Sequence, residues 1–409
     1  MGELITVSAS KNSVQSNVQI NLPASKSISN RLLIMRALSG NLIRIENLSS
    51  ADDTQILETA LGVKSGEVNL GLAGTALRFG MAWAAVTPGV RVLRGDARLN
   101  ERPVKELANA LRELGADFKY IEKEGFAPVE ITGKKLNGGK LTIDGSRSSQ
   151  FITAMMLIAP YCEAPLLFKI DKSQVSMPYV DMTVSLMRKA GAKIEQQESD
   201  IKISGAYGSS DFVVEPDWSA ASYFYLWAMA LEKTTLSING LPFESVQGDK
   251  VASDIFAHYG IISHFTDGNM RIAKKLLPDF PEEINCIGCP DLAQTFAIAA
   301  VIAQKSVRLT GLQTLRHKET DRIEALKNEL AKCGVFCKAG SDFLEILSFE
   351  KPAGTPIIKT YKDHRMAMAF APLAAIFGEI QIENPGVVSK SFPGYWKEVE
   401  KMGLVLESD

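Results

Sequence analysis

LRELGADFKYI (residues 111–121) decides the fold, because its three parts recur along the chain. It reads as the end of an amphipathic helix, a glycine at Gly115, and a short strand of alternating polarity. The same order returns as LMRKAGAKIEQ (186–196), FAHYGIISHF (256–265), LAKCGVFCKA (330–339) and VEKMGLVLES (399–408), and more weakly as LETALGVKS (57–65). The glycines are Gly62, Gly115, Gly191, Gly260, Gly334 and Gly403. Each fits the left-handed position that closes a helix, where other residues sit only at a cost. Turns one strand later, at Glu124-Gly125, Ser199-Asp200, Asp267-Gly268 and Ser341-Asp342, lead into second strands: VEITG, IKISG, MRIAK and LEILS. The chain thus reads as about six α-then-ββ units.

A second class of helix alternates with these. FITAMMLIAP (151–160), DLAQTFAIAAVIA (291–303) and HRMAMAFAPLAAIF (364–377) are apolar on nearly every face. Such helices belong inside, which leaves the strands outside; most α/β domains do the reverse. With 409 residues the chain exceeds one ordinary core, so two domains are expected. The crossings fall near Asn21-Leu22-Pro23 and Glu215-Pro216, where a proline favours extended backbone.

Hydrophobic residues make up 46% and charged residues 22%, ordinary values for a globular protein. A net charge of −2 gives no push toward nucleic acid or anionic lipid. No run reaches the roughly 18 apolar residues of a membrane span. MGELITVSAS lacks the marks of a secretory signal, and five cysteines point to reduced thiols in the cytosol. Cys286 and Cys289 form half of a zinc or redox motif with no second pair at metal spacing, so no metal is expected. Cys333 and Cys337 are expected in the core.

The informative feature is where the cations fall. PASKSISNRLLIMRALSG (23–40) puts Lys26 and Ser27 at a helix start and Arg31 one turn in. LAGTALRFGMAWAA (72–85) has Gly74 and Thr75 before an apolar helix and Arg78 in its first turn. GSRSSQFITAMML (145–157) opens a helix with Ser148, Ser149 and Gln150. KETDRIEALKNELAKCG (318–334) begins with Lys318, Glu319 and Arg322, YKDHRMAMAF (361–370) caps with Asp363 and presents His364 and Arg365, and SKSFPGYWKEVEKMG (389–403) offers Lys390 before Pro393. A helix N-terminus carries the positive end of the backbone dipole, so each cation there is unfavourable by ~0.3–1 kcal/mol. Repeating that arrangement points to anions held by dipoles and side chains together. The P-loop and dinucleotide fingerprints are both missing. Asp291 suits an N-cap and Glu319 a first-turn helix carboxylate; their functional reading is a proton acceptor and a proton donor.

PASKSISNR, LAGTALRF, NERP, SRSSQF, SMPYVD, CPDLAQT, KETDR, DHRMAM and SKSFP occur in one order from Lys26 to Pro393. In this the chain resembles the 5-enolpyruvylshikimate-3-phosphate synthases, or 3-phosphoshikimate 1-carboxyvinyltransferases. The resemblance implies a two-domain inside-out α/β barrel, each domain of three units with inner helices and outer sheets. Residues 1–22 and 216–409 would form one domain and 23–215 the other, with the active site in the cleft that their closure completes. It implies that Lys26, Ser27, Arg31, Ser148, Ser149, Gln150, Ser176, Tyr179, Asp291 and Lys318 hold shikimate 3-phosphate. Phosphoenolpyruvate would meet Lys26, Gly74, Thr75, Arg102, Gln150, Arg322, Arg365 and Lys390. Asp291 would take the proton of the 5-hydroxyl, Glu319 would protonate the methylene and later remove a proton, and Lys26 would lie between the ligands. The reaction would be an addition–elimination of the shikimate pathway toward chorismate and aromatic amino acids, run by a cytosolic monomer without metal, organic cofactor, nucleic acid or membrane.

The sequence departs from the family pattern at Leu72, where asparagine is common, which puts glyphosate sensitivity in doubt; at Met177, often polar; and at Thr314, in some members asparagine. Two other readings stay open. A UDP-amino-sugar enolpyruvyl transferase of the same fold typically has a loop cysteine and an asparagine after the first lysine, where this chain has Ser27 and only Cys162 in that half. A non-catalytic anion-binding protein on the same scaffold would have no need of Asp291 and Glu319.

Overall fold

A helix apolar on every side has nowhere to go but the interior. The computed structural model describes residues 3–9, 15–144, 149–171, 176–197, 200–231, 234–266, 268–274 and 277–408. By internal contacts the chain divides into two compact units, Ala24–Val214 and Met1–Pro23 with Glu215–Asp409, called here the continuous and the split unit. In the continuous unit the helices Lys26–Leu38, Gly74–Val86 and Ser149–Ile158 are buried along most of their length. In the split unit the same holds for Trp218–Ala230, Ala293–Ala303 and His364–Phe370. The Trp218–Ala230 helix has no counterpart among the expected inner helices. Its aromatic crowding, WSAASYFYLWAMA, carries no face-by-face pattern that would announce it.

The sheets lie on the other side of this logic. Strands such as Leu4–Ser8, Thr235–Asn239 and Glu379–Glu383 alternate buried and half-buried residues, so one face packs on helices and the other meets solvent. One strand order recurs. Gly66–Asn69 runs parallel to Gly89–Arg94, which lies antiparallel to Val129–Gly133, which in turn pairs with Asp117–Tyr120. Gly139–Asp144, Leu166–Asp171, Asp200–Ser204 and Lys193–Gln197 repeat it, as do Glu283–Asn285, Val307–Thr310, Leu344–Phe349 and Val335–Ala339. In each case the buried helix links the two parallel strands and the hairpin follows the closing glycine.

Two sheets are finished from a distance. The N-terminal strand Leu4–Ser8 inserts between Glu379–Glu383 and Val405–Ser408, with Ile5 opposite Ile382. Asn17–Ile20 pairs in parallel with Thr235–Asn239. Both carry the N-terminus into the split unit. Among the described residues the remaining sheet has two strands, Ile43–Glu46 and Ser210–Val213, in parallel. This corrects the weakest of the sequence repeats: Gly62 has φ −78°, not a left-handed value, and the chain runs on from it into Gly66–Asn69, which opens the next sheet. Gly115, Gly191, Gly260, Gly334 and Gly403 do take positive φ, between 74° and 100°.

Candidate active site

Arg322 organises the charge cluster of the split unit. Its helix, Arg322–Lys332, is capped by Asp321, whose carboxylate accepts the Ile323 and Glu324 N–H groups at 3.1 and 3.2 Å. Capping fixes Arg322 at the first helical position. From there the buried guanidinium reaches Asp363 (Nε–Oδ2 2.6 Å), Asp291 (Nη1–Oδ1 3.0 Å) and Glu319 (Nη2–Oε2 2.9 Å). Asp291 is met in addition by Arg365 at 2.7 Å and Lys318 at 3.5 Å, and Glu319 by Lys390 at 3.8 Å. Arg365 is held from two sides: its N–H donates to the capping Asp363 at 3.0 Å, and its Nη1 donates to the Tyr223 hydroxyl at 3.0 Å.

Electrostatics follow from this packing. Burial works to raise the Asp291 carboxyl, but Arg365, Lys318 and Arg322 together hold it well below the usual carboxylate range, with Glu319 opposing them. Burial works to lower the Arg322 guanidinium, and Asp363, Glu319 and Asp291 override it, so its charge is secured. Asp249, buried behind Asp291 and hydrogen-bonded to Ser219, is pushed up to about 6 by burial and by the like charge of Asp291. Burial also pushes Tyr223 up to about 12, so it remains a hydroxyl beside Arg365.

Three local expectations change. Asp291 is not the N-cap residue of Ala293–Ala303, which is Leu292; it lies in the 3-10 turn Pro290–Leu292 ahead of that helix. Glu319 is not a first-turn residue but precedes the Asp321 cap. Lys390 ends the 3-10 segment Pro385–Lys390, so it stands at a segment's C-terminal end. For Asp291 and Glu319 the backbone reason for the charge is removed and cationic side chains take its place. Cys286 and Cys289 are buried in the turn ahead of Asp291, where the Cys289 N–H donates to the Cys286 carbonyl at 3.1 Å. Hydrogen bonding to Cys286 and burial push the Cys289 thiol up. Cys333 is buried, while Cys337 is only half-buried against the core. Among the described residues no group of three or more His, Cys, Asp or Glu side chains is set to hold a metal.

The continuous unit carries its own polar cluster. Lys26, first residue of its helix, bonds Asp53 at 2.9 Å. Arg31, one turn on and 4% exposed, donates to Thr183 Oγ1 at 2.8 Å, to the Ser27 carbonyl at 2.7 Å and to the Tyr179 carbonyl at 3.2 Å. All three acceptors are neutral, and burial lowers the guanidinium to about 10, partly offset by Tyr179. Ser149 opens its buried helix, and Gln150 beside it accepts from Arg78 Nη1 at 3.0 Å and donates to Thr75 Oγ1 at 3.4 Å. Gly74 lies against Arg102: a Cβ there would collide with the guanidinium, so glycine lets the buried arginine pack on the helix start. Ser176 takes left-handed φ 58° just ahead of Met177–Lys189, whose first residue is Met177. Ser148 lies outside the described residues.

Asp291, Lys318, Glu319, Arg322, Arg365 and Lys390 therefore share one ion-pair network, while Gly74, Thr75, Arg102 and Gln150 form one neighbourhood and Ser27, Arg31 and Tyr179 another. Sequence reasoning did not assign Asp363, Asp53, Tyr223 or Asp249 to the site. Asp363 was legible only as a cap, and the rest carry no local signal. Thr314 has a buried hydroxyl with no hydrogen-bond partner among the described residues.

Solved structures with this architecture set the class. An EPSP synthase from Acinetobacter baumannii superposes with a TM-score of 0.78 at 21% identity, with 100% of both chains covered. The enolpyruvyl transferase NikO from Streptomyces tendae gives 0.73 at 16% identity, covering 100% of this chain and 99% of the other. The fold is that of the enolpyruvyl transferases.

A family model for EPSP synthase (3-phosphoshikimate 1-carboxyvinyltransferase) matches residues 57–399. A 3-phosphoshikimate 1-carboxyvinyltransferase of Bacteroides fragilis (strain YCH46) is 42% identical over 95% of this chain and 96% of its own. One from Vibrio atlanticus (strain LGP32) is 36% identical over 94% and 97%. The chain belongs to the EPSP synthase family.

Proposed function

We propose that this protein transfers the enolpyruvyl group of phosphoenolpyruvate to the 5-hydroxyl of shikimate 3-phosphate, releasing phosphate. The observation that carries this reading is the sharing of Arg322 by Asp291 and Glu319, within a group of four cations. The substrates each bear a phosphate and a carboxylate, and two unit charges ~5 Å apart repel by about 3 kcal/mol at an effective dielectric of 20. Cations must offset that before bonding distance is reached. Arginine forks orient the oxygens of phosphoenolpyruvate at Arg102, Arg322 and Arg365, and Lys26, Lys318 and Lys390 follow the charge as it moves.

The proton roles follow from the sign of the field. Asp291, ionised and strongly cation-bound, is in the form that accepts a proton. As the ligand anions draw Arg322, Arg365 and Lys318 toward themselves, the carboxylate regains basicity where the 5-hydroxyl approaches. Glu319 takes up a solvent proton once the ligand anions have drawn Arg322 and Lys390 from it; the hydroxyl oxygen then bonds C2 of phosphoenolpyruvate while Glu319 delivers that proton to the C3 methylene, giving a tetrahedral intermediate. As the C2–O bond to phosphate breaks, the proton held by Asp291 goes out with the phosphate, and Glu319 takes a proton back from C3 to leave the enol ether. In the continuous unit, Arg31, Ser149, Ser176 and Tyr179 take shikimate 3-phosphate, and Gly74, Thr75 and Gln150 flank phosphoenolpyruvate. The free cysteines suit a reducing cytosol, and we assign the work to a single chain.

Phosphate release tests this directly. Turnover is expected with phosphoenolpyruvate plus shikimate 3-phosphate and not with phosphoenolpyruvate plus UDP-N-acetylglucosamine. The reverse preference would move the chain to the amino-sugar reaction, and silence with both would leave an anion-binding protein.

A further inference from the structure

Glu329 is a fully buried carboxylate on the Arg322–Lys332 helix, with no place in the chemistry above. Its oxygens take three donors: the Tyr361 hydroxyl at 2.7 Å, the Lys359 backbone N–H at 2.9 Å and the Lys332 ammonium at 2.6 Å. Lys332 also donates to the Ile357 carbonyl at 3.0 Å. A helical ion pair alone would need neither burial nor two contacts to a segment some thirty residues away. What these bonds grip is the stretch from Ile357 to Tyr361, which runs straight into Asp363.

That stretch is strained. Tyr361 and Lys362 both take left-handed φ, 54° and 58°, and the Asp363 N–H closes the turn on the Thr360 carbonyl at 2.9 Å. Two successive positive φ values define the turn type that favours asparagine and glycine, and side chains as large as tyrosine and lysine adopt it only under outside constraint. The constraint comes from one helix at two points. Arg322 holds Asp363 through Nε at 2.6 Å and Nη2 at 3.4 Å, and Glu329 holds Tyr361 and Lys359. Residues 322 and 329 lie roughly two helical turns apart and so share a face. Burial and the bond to Glu329 push the Tyr361 hydroxyl up to about 12, so it stays a donor at neutral pH.

We propose that Glu329 is a positioning residue: its carboxylate holds the left-handed Tyr361–Lys362 turn, and through that turn sets Asp363, which fixes Arg322 and caps the helix that presents Arg365. The kinetic consequence rests on the phosphoenolpyruvate role given to Arg365; the structural one does not.

The test compares Glu329→Ala with the double variant Glu329→Ala/Lys362→Gly, because glycine takes left-handed backbone without strain. Glu329→Ala is expected to raise KM for phosphoenolpyruvate about tenfold, the equivalent of ~1.4 kcal/mol of binding, with kcat and KM for shikimate 3-phosphate nearly unchanged. Amide exchange at Arg365, whose N–H is bonded to Asp363, should quicken in step. The added glycine should recover both. Tyr361→Phe, which removes one hydroxyl, should shift both in the same direction by less, and it serves if Glu329→Ala does not fold. A lowered Tm with no selective effect on phosphoenolpyruvate or on the Arg365 amide, or no recovery with glycine, would overturn the proposal. A wild-type protein inactive on the substrate pair would fail the transfer reading alone, since the exchange measurement decides the positioning role by itself.

Discussion

Arg322 and Arg31 are both buried arginines near helix starts, one in each unit, and they are held in opposite ways. Arg322 is neutralised by three carboxylates, which secure its charge. Arg31 rests on two backbone carbonyls and a threonine hydroxyl, with no carboxylate bonded to it among the described residues, and burial lowers its guanidinium to about 10. A buried ion needs a counter-ion or it destabilises the fold. The split unit supplies its own counter-ions, and two of them are the groups assigned to move protons. The continuous unit leaves Arg31 short of one, which is the state expected of a cation kept for an anionic ligand.

Substitution by methionine separates the two cases. Arg322→Met takes the guanidinium from the fully buried Asp363 and leaves Asp291 to Arg365 and Lys318 and Glu319 to Lys390, so a loss of about 3–5 kcal/mol is expected, read as a lower denaturant midpoint. Stability within experimental error of the wild type would show the network to be loosely coupled. Arg31→Met removes a charge that the folded chain does not balance, so Tm should hold or rise. Affinity for shikimate 3-phosphate should fall by roughly 10- to 100-fold, the loss of a charged hydrogen bond. A drop in Tm with unchanged affinity would make Arg31 a structural residue.

Legibility in the sequence divides along the same line. The repeat was readable because its signals are local: a helix end, a glycine that must be left-handed, a hairpin. Where one local signal was false, at Gly62, the backbone is right-handed and the hairpin is missing. The closure of the last sheet by Leu4–Ser8 was legible only as far as the resemblance groups residues 1–22 with 216–409; its strand partners lie at opposite ends of the chain and leave no mark in either. Cations near helix starts were visible as departures from the dipole rule, and four of those so found share one network with Asp291 and Glu319. Their partners were not visible. Asp53, Asp249 and Tyr223 are ordinary in sequence, and only folding sets them against Lys26, Asp291 and Arg365. Glu329 was hidden for the same reason: as text it is one more charge on an amphipathic helix.

In the proposed reaction Glu319 moves a proton to and from the C3 carbon while Asp291 takes one from oxygen. Deuterium transfer in heavy water reads this directly, by mass spectrometry of the phosphoenolpyruvate recovered and the enol ether formed during turnover with shikimate 3-phosphate. The wild type should wash solvent deuterium into the methylene, and Glu319→Gln should lower both exchange and turnover by about 100- to 10,000-fold while still binding both substrates. Deuterium entering at the wild-type rate in that variant would contradict the assignment.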